Sequence, residues 1–169
     1  MSTSTPTYAQ VTQLPAQIER VVPPEFIDQN GHMNIGRYLE LGAVALWERC
    51  KDDLGMSAGY VRDRGLSNFT AEHHLLYVAE ILEGEQVGVH VRLVERSDKA
   101  LHSVSLIVNQ TRQQLACVME TTLIHIDLGT RRPVPFPDDV APLIDAGLKA
   151  DNLDWPAPLS GSMGVRRTS

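Results

Sequence analysis

The sequence predicts an α+β fold in which an antiparallel sheet wraps around one long central helix. Three observations carry this expectation. The stretch from Ile35 to about Asp52 spreads apolar or small side chains around most of a helical cylinder. Several later segments show either two-residue alternation or continuous apolar runs. Short turns join those segments, which makes successive strands antiparallel neighbours. A surface helix would carry a single apolar stripe, so a helix that is apolar on most sides is expected to be enclosed.

In chain order, residues 1–16 are polar and threonine-rich and read as a flexible arm. Residues 17–150 read as the single folded domain, and residues 151–169, rich in Pro, Gly and Ser, as a disordered tail. Glu19–Val22 is a short strand that ends at Pro23-Pro24. The long helix starts at Gly31 and Asn34 and stops at Gly55, and Gly36, Gly42, Ala43 and Ala45 permit close approach by other backbone. Beyond Gly65 the character changes to strands. His74–Ile81 is mostly apolar, Val87–Val94 alternates, and Leu101–Val108 and Leu115–Asp127 complete the set. A proline-rich exit through Pro133, Pro135 and Pro137 leads to a short helix over about Asp138–Lys149.

Bulk properties narrow the function classes. The chain has 169 residues, a hydrophobic share of 43% and a formal net charge of -6 from 15 basic and 21 acidic residues. Arg131-Arg132 and Arg166-Arg167 are isolated basic pairs, so nucleic acid is not an expected partner. No apolar run reaches membrane-spanning length and the first residues have no apolar signal core, which points to a cytoplasmic protein without a membrane partner. Cys50 and Cys117 lie in apolar contexts and read as reduced core residues. His73, His74, His90, His102 and His125 show no ligand spacing, so no metal is expected; no cofactor is expected either.

The segment Asp28-Gln29-Asn30-Gly31-His32-Met33-Asn34 sets a carboxylate, amides, a glycine and an imidazole at the mouth of the long helix. Unpaired N–H groups and about half a positive charge at a helix N-terminus can stabilise an oxyanion. A carboxylate beside it can attack a carbonyl or activate water. These are the parts needed to hydrolyse an ester or thioester. The same residues also suit a purely structural turn and cap.

This motif before an enclosed helix resembles the hotdog-fold acyl-CoA thioesterases of the 4-hydroxybenzoyl-CoA thioesterase group, over roughly Ile18 to Val140. Tyr38 in the first helical turns, the turn Leu82-Glu83-Gly84-Glu85-Gln86-Val87, the closing His125-Ile126-Asp127 and the proline exit belong to the same resemblance. It implies that Asp28 is the catalytic nucleophile or general base and that amides near Gly31 and His32 polarise the thioester oxygen. One such donor is worth ~3 kcal/mol of transition-state stabilisation. Asn30 would orient the carboxylate or the water, and His32 would either fix the loop or touch the thioester. Glu72, Trp47 and Tyr77 are weaker candidates for substrate contact. The run from Asp28 through Arg37-Tyr38-Leu39, with Glu72-x-His74 and Lys99-x-Leu101-His102, further resembles the thioesterases that partner L-carnitine dehydrogenase and hydrolyse betainyl-CoA. A trimethylammonium acyl group would suit aromatic faces such as Trp47, Tyr60, Phe69 or Tyr77. Other short-chain or aromatic acyl-CoA substrates stay open, as does a non-catalytic acyl-CoA-binding module. A hotdog hydratase fits less well, because its His lies five positions after the Asp. Pairing through an unsatisfied strand edge implies a homodimer or a dimer of dimers.

Overall fold

The computed structural model describes residues 5–165. Its elements in chain order are α1 (Tyr8–Val11), β1 (Ala16–Val21), α2 (Ile35–Asp53), α3 (Ala58–Arg64), β2 (Leu66–Tyr77), β3 (Gln86–Arg96), β4 (Ala100–Asn109), β5 (Gln114–Asp127), β6 (Arg132–Pro133) and α4 (Ala141–Ala150). The strands form one antiparallel sheet ordered β1-β3-β4-β5-β2, with β6 paired to β5. The sheet curls around α2, which gives the α+β hotdog architecture.

Helix α2 begins where Asn34 caps it: the Asn34 side chain accepts the Gly36 N–H at 2.9 Å. Its buried face, which includes Tyr38, Leu41, Ala45, Leu46 and Cys50, meets a core containing Val87, Val89, Ile107 and Met119. Gly42 is where the helix lies closest to the sheet. A Cβ there would sit 2.8 Å from the Met119 thioether, and the Ser105 hydroxyl donates to the Gly42 carbonyl at 3.0 Å. In the single chain, however, enclosure is incomplete. Ile35 is 63% exposed and Trp47 40%, and Leu39 and Val44 are exposed as well.

Strand β2 differs from expectation for a related reason. It begins at Leu66, eight residues before His74, and Val78–Ile81 lies outside it. Ser67, Asn68, Thr70, Glu72 and His73 break the apolar pattern because β2 is an edge strand, paired only with β5. Phe69, Leu76 and Tyr77 on it are exposed, as is the following Val78. Glu72 lies within the strand, just after an irregularity between Thr70 and Glu72.

Both chain ends pack more than expected. The stretch read as a flexible arm contains α1, started by a Thr7–Gln10 capping box, and buries Val11 and Leu14. The stretch read as a disordered tail buries Asp151 and Trp155. Val11, Leu14 and Trp155 meet Val104, Leu106, Val108 and Val118 on the outer face of the sheet, making a second, smaller core. Met1–Ser4 and Arg166–Ser169, the extremes of the arm and tail, lie outside the described residues. No helix among the described residues is long and apolar enough to cross a membrane.

Trp155 is 3% exposed, stacks under the Arg92 guanidinium at 4.3 Å and donates its indole N–H to Gln13 at 2.9 Å. Trp155→Ala is therefore expected to lower stability by ~3 kcal/mol or more in urea unfolding. On the same face, fully buried Glu120 accepts hydrogen bonds from His102 Nε2 at 2.8 Å and from the Ser160 N–H at 2.8 Å. Burial pushes the Glu120 pKa up, but the Ser160 hydroxyl and amide together with His102 outweigh it, so the net shift is downward. A carboxyl lowered in this way contributes stability above its ordinary value of 4.5 and loses it as pH falls through the lower folded value. Urea midpoints of Glu120→Gln should consequently fall less steeply than wild type below pH 4.5.

Candidate active site

Asp28 sits in a loop that folds back on itself. Ile27 and Met33 bridge across it, Asp28 N–H donates to the His32 carbonyl at 3.1 Å, and Asn34 N–H donates to Phe26 at 2.8 Å. Gly31 turns the loop at φ +80°, a left-handed conformation that glycine adopts without strain. No atom lies within 4 Å of a Cβ built there, so backbone conformation rather than space calls for glycine.

The loop is stitched to the chain entering β3. Met33 N–H donates to Ile81 O at 2.8 Å, and the Tyr38 hydroxyl accepts the Ile81 N–H at 3.1 Å while donating to Ala79 O at 3.4 Å. Burial pushes the Tyr38 phenol up to about 12, so it remains a donor at any working pH.

Half-buried Asp28 presents its carboxylate at the N-terminus of α2. Oδ1 accepts the Asn30 N–H at 2.8 Å, and Oδ2 accepts the Asn34 side-chain amide at 3.4 Å. A cleft of about 480 Å³ opens beside it, lined by Asp28, Asn34, Gly36, Arg37, Glu25 and Glu40. Arg37 pairs with Glu40 at 2.6 Å and stacks on Phe26 at 4.7 Å. The arrangement can hold a carboxylate next to helix N–H groups, as nucleophilic or water-activating chemistry requires.

The candidates from sequence divide into two groups. Asp28, Asn30, Gly31 and His32 share this loop. Asn30 acts here through its backbone N–H. The Gly31 N–H donates to the Asp28 carbonyl at 3.0 Å, so it is engaged within the loop, whereas the His32 N–H has no hydrogen bond among the described residues. The His32 ring is half-buried and places Nδ1 3.3 Å from the Met33 carbonyl. Tyr77 reaches the same end of α2, with its hydroxyl donating to Ile35 O at 3.2 Å and its ring edge-on to Tyr38 at 5.4 Å.

Trp47 and Glu72 do not join them. Trp47 lies twelve residues beyond Ile35, about 18 Å along the helix axis. It lines a separate pocket of about 130 Å³ between α2 and β2. Glu72 opposes Thr122 in the β2–β5 ladder and so shares its face. Thr121 and Leu123 line the α2-side pocket, which puts Thr122 and Glu72 on the outer side, in a cleft with Lys99. Nor do the four aromatic residues converge: Tyr60 is buried against His125 Nε2 at 2.6 Å, and Phe69 is 60% exposed. Arg96 and Arg112 are each engaged within the chain, pairing with Asp145 at 2.6 Å and Glu85 at 2.5 Å. The thiols of Cys50 and Cys117 are buried and pushed up to about 12, which suits core packing rather than nucleophilic attack. Asn34 is the residue whose second role sequence reasoning missed. It was legible as a helix cap, but its contact with the carboxylate six positions earlier depends on the loop's fold.

A curled sheet around one helix, with a carboxylate loop at the helix mouth, defines the hotdog class of acyl-thioester enzymes. The thioesterase-like superfamily model matches residues 22–144, and the chain belongs to that superfamily of thioester hydrolases. Among curated relatives, the L-carnitine dehydrogenase/betainyl-CoA thioesterase of Ruegeria pomeroyi is 30% identical over 149 residues, covering 88% of this chain. The chain spans only 30% of that longer relative. The betainyl-CoA thioesterase of Pseudomonas aeruginosa is 29% identical over 136 residues, covering 80% of this chain and 85% of its own length. A Staphylococcus aureus protein solved in complex with CoA has the same fold at a TM-score of 0.80 and 24% identity, covering 90% of this chain and 97% of that one.

Asn34→Asp keeps an oxygen to cap Gly36 but removes the donor to Asp28. We expect thermal stability within ~1 kcal/mol of wild type, and a kcat loss in thioester hydrolysis that exceeds any change in KM.

Proposed function

We propose that the protein is an acyl-CoA thioesterase that hydrolyses betainyl-CoA to betaine and free CoA. The observation that carries the chemistry is the Asp28 carboxylate, held by the Asn30 N–H and the Asn34 amide at the N-terminus of α2. Asp28 either attacks the thioester carbon or takes a proton from a water that attacks it. The His32 N–H and the helix dipole stabilise the negative charge that develops on the thioester oxygen. On the water route the C–S bond breaks, CoA leaves as a thiol with a proton derived from that water, and the acyl carbon keeps the water oxygen. On the nucleophilic route C–S cleavage leaves an acyl–Asp28 anhydride, and a water then cleaves the anhydride, protonating CoA and freeing the acid and the carboxylate. The substrate follows from the relatives named as betainyl-CoA thioesterases. The relative solved with CoA supports the carrier.

The working unit in this reading is a homodimer, with a dimer of dimers as the next level. The free edge of β2, with exposed Tyr77 toward α2 and exposed Phe69 and Leu76 on its other face, and the exposed Ile35, Val44 and Trp47 of α2 leave apolar side chains on both sides of that edge. An edge of this kind is a liability unless another chain covers it. Two free, buried thiols accord with a cytoplasmic setting.

The test measures CoA release across short, long and aromatic acyl-CoAs and betainyl-CoA. Betainyl-CoA should be turned over best, and Asp28→Asn should lower kcat by roughly 10²–10⁴-fold. Turnover confined to other acyl groups would replace the substrate, and silence across the panel would leave a binding module. Light scattering at micromolar concentration should give a dimer or larger; a monomer would count against the assembly.

A further inference from the structure

We propose that the cleft on the outer face of the sheet binds a small zwitterion, Glu72 receiving its cationic end and Lys99 its carboxylate. The cleft holds about 510 Å³, within the ~300–1,000 Å³ usual for small-molecule sites. Ala71, Ala100, Ile124 and Pro133 give it an apolar lining, and Glu72 and Lys99 are the charged side chains in it. Lys99 leads into β4 and Glu72 lies on β2, with β5 between them. Their backbones are therefore about two strand spacings apart, ~10 Å. Among the described residues neither side chain forms an ion pair, with the other or with any neighbour. Where unlike charges come within reach on this surface they pair, as Arg64 does with Asp139 at 2.6 Å. Here an anion and a cation stand apart across an apolar lining. A ligand that carries both charges satisfies both side chains at once.

Thr122 lies between them. It opposes Glu72 on one side and His102 on the other, so the three side chains share the outer face. Thr122 is 5% exposed and lines the cleft, and its hydroxyl has no hydrogen-bond partner among the described residues. A buried hydroxyl left unpaired costs stability, which a polar group on the ligand can recover. His102 is already taken up by carboxylates, with Glu120 at 2.8 Å and Glu95 at 3.5 Å. The class that fits therefore has an ammonium at one end, a carboxylate at the other and a polar group between. Pairing through the free β2 edge joins backbones in the plane of the sheet, which leaves this face uncovered in a dimer. Betaine, the acid released in the proposed reaction, belongs to the class, but binding here needs no thioester chemistry and stands apart from that reading.

The test is an amide chemical-shift titration of the full chain by NMR, with 4-amino-3-hydroxybutyrate and, beside it, butylamine and butyrate. Shifts should cluster at residues 71–72, 97–100 and 122–124 and persist in Asp28→Asn. The zwitterion should bind roughly two- to fivefold more tightly than either singly charged analogue. Thr122→Val should weaken 4-amino-3-hydroxybutyrate more than 4-aminobutyrate, which lacks the hydroxyl. Charge reversal gives the sharper readout, and both charged positions are exposed, so folding is not at stake. Glu72→Lys should turn the preference toward glutarate and Lys99→Glu toward 1,5-diaminopentane, while the double reversal should restore zwitterion binding. Equal binding of the zwitterion and its analogues overturns the proposal. So does a double reversal that fails to restore binding, or a set of shifts centred on the Asp28 loop.

Discussion

How closely α2 can lie against the sheet governs the rest of this structure. At Gly42 the helix backbone takes a hydrogen bond from Ser105, and any side chain there would run into Met119. One added carbon there would require the Met119 thioether to move aside in a densely packed core. This contact sets the height and angle of the helix, and therefore where its N-terminus emerges. From that position Tyr38 reaches Ala79 and Ile81, Met33 reaches Ile81, and the Asp28 loop closes over the helix mouth. The carboxylate is thus aimed by packing some distance from it.

Features set by local chemistry were legible in the sequence, and features set by distant partners were not. The Asp28–Asn34 loop, the cap and the alternation of β3 depend on neighbours a few residues away. The side of the sheet that Glu72 faces depends on an irregularity at Ala71, and one extra residue in a strand reverses the faces that follow. Val11, Leu14 and Trp155 sit in polar segments, and their burial becomes visible only when the two chain ends meet over the outer face. The composition of α2 showed apolar or small side chains round most of its circumference. It could not show that Tyr38 and Leu46 serve the chain's own core while Ile35 and Trp47 face outward.

The segment after α4 is held by charges as much as by apolar contact. Asp151 accepts the Leu93 N–H at 2.7 Å and pairs with Arg49 at 3.2 Å, while its carbonyl accepts from Arg92 at 3.0 Å. Burial raises the Asp151 pKa, with the Leu93 N–H, Arg49 and Arg92 opposing it. Buried charges are poor sources of net stability, because desolvation offsets most of their attraction. Their geometry is demanding, however, and it fixes the segment after α4 in one register across β3, where generic apolar contact would let it slide.

The sheet order also has a consequence for biosynthesis. Strand β2 pairs only with β5, so when Tyr77 leaves the ribosome its in-chain partner, which starts at Gln114, has not yet been made. At ~5–20 residues per second, the interval amounts to several seconds. Throughout it β2 has neither edge satisfied, while β3 and β4 can already pair with β1 and with each other. The polar residues that blurred β2 as a strand, Ser67, Asn68, Thr70, Glu72 and His73, would keep the nascent segment from pairing with neighbouring chains. An edge suited to later assembly and a nascent chain that resists aggregation are thus encoded in the same few positions.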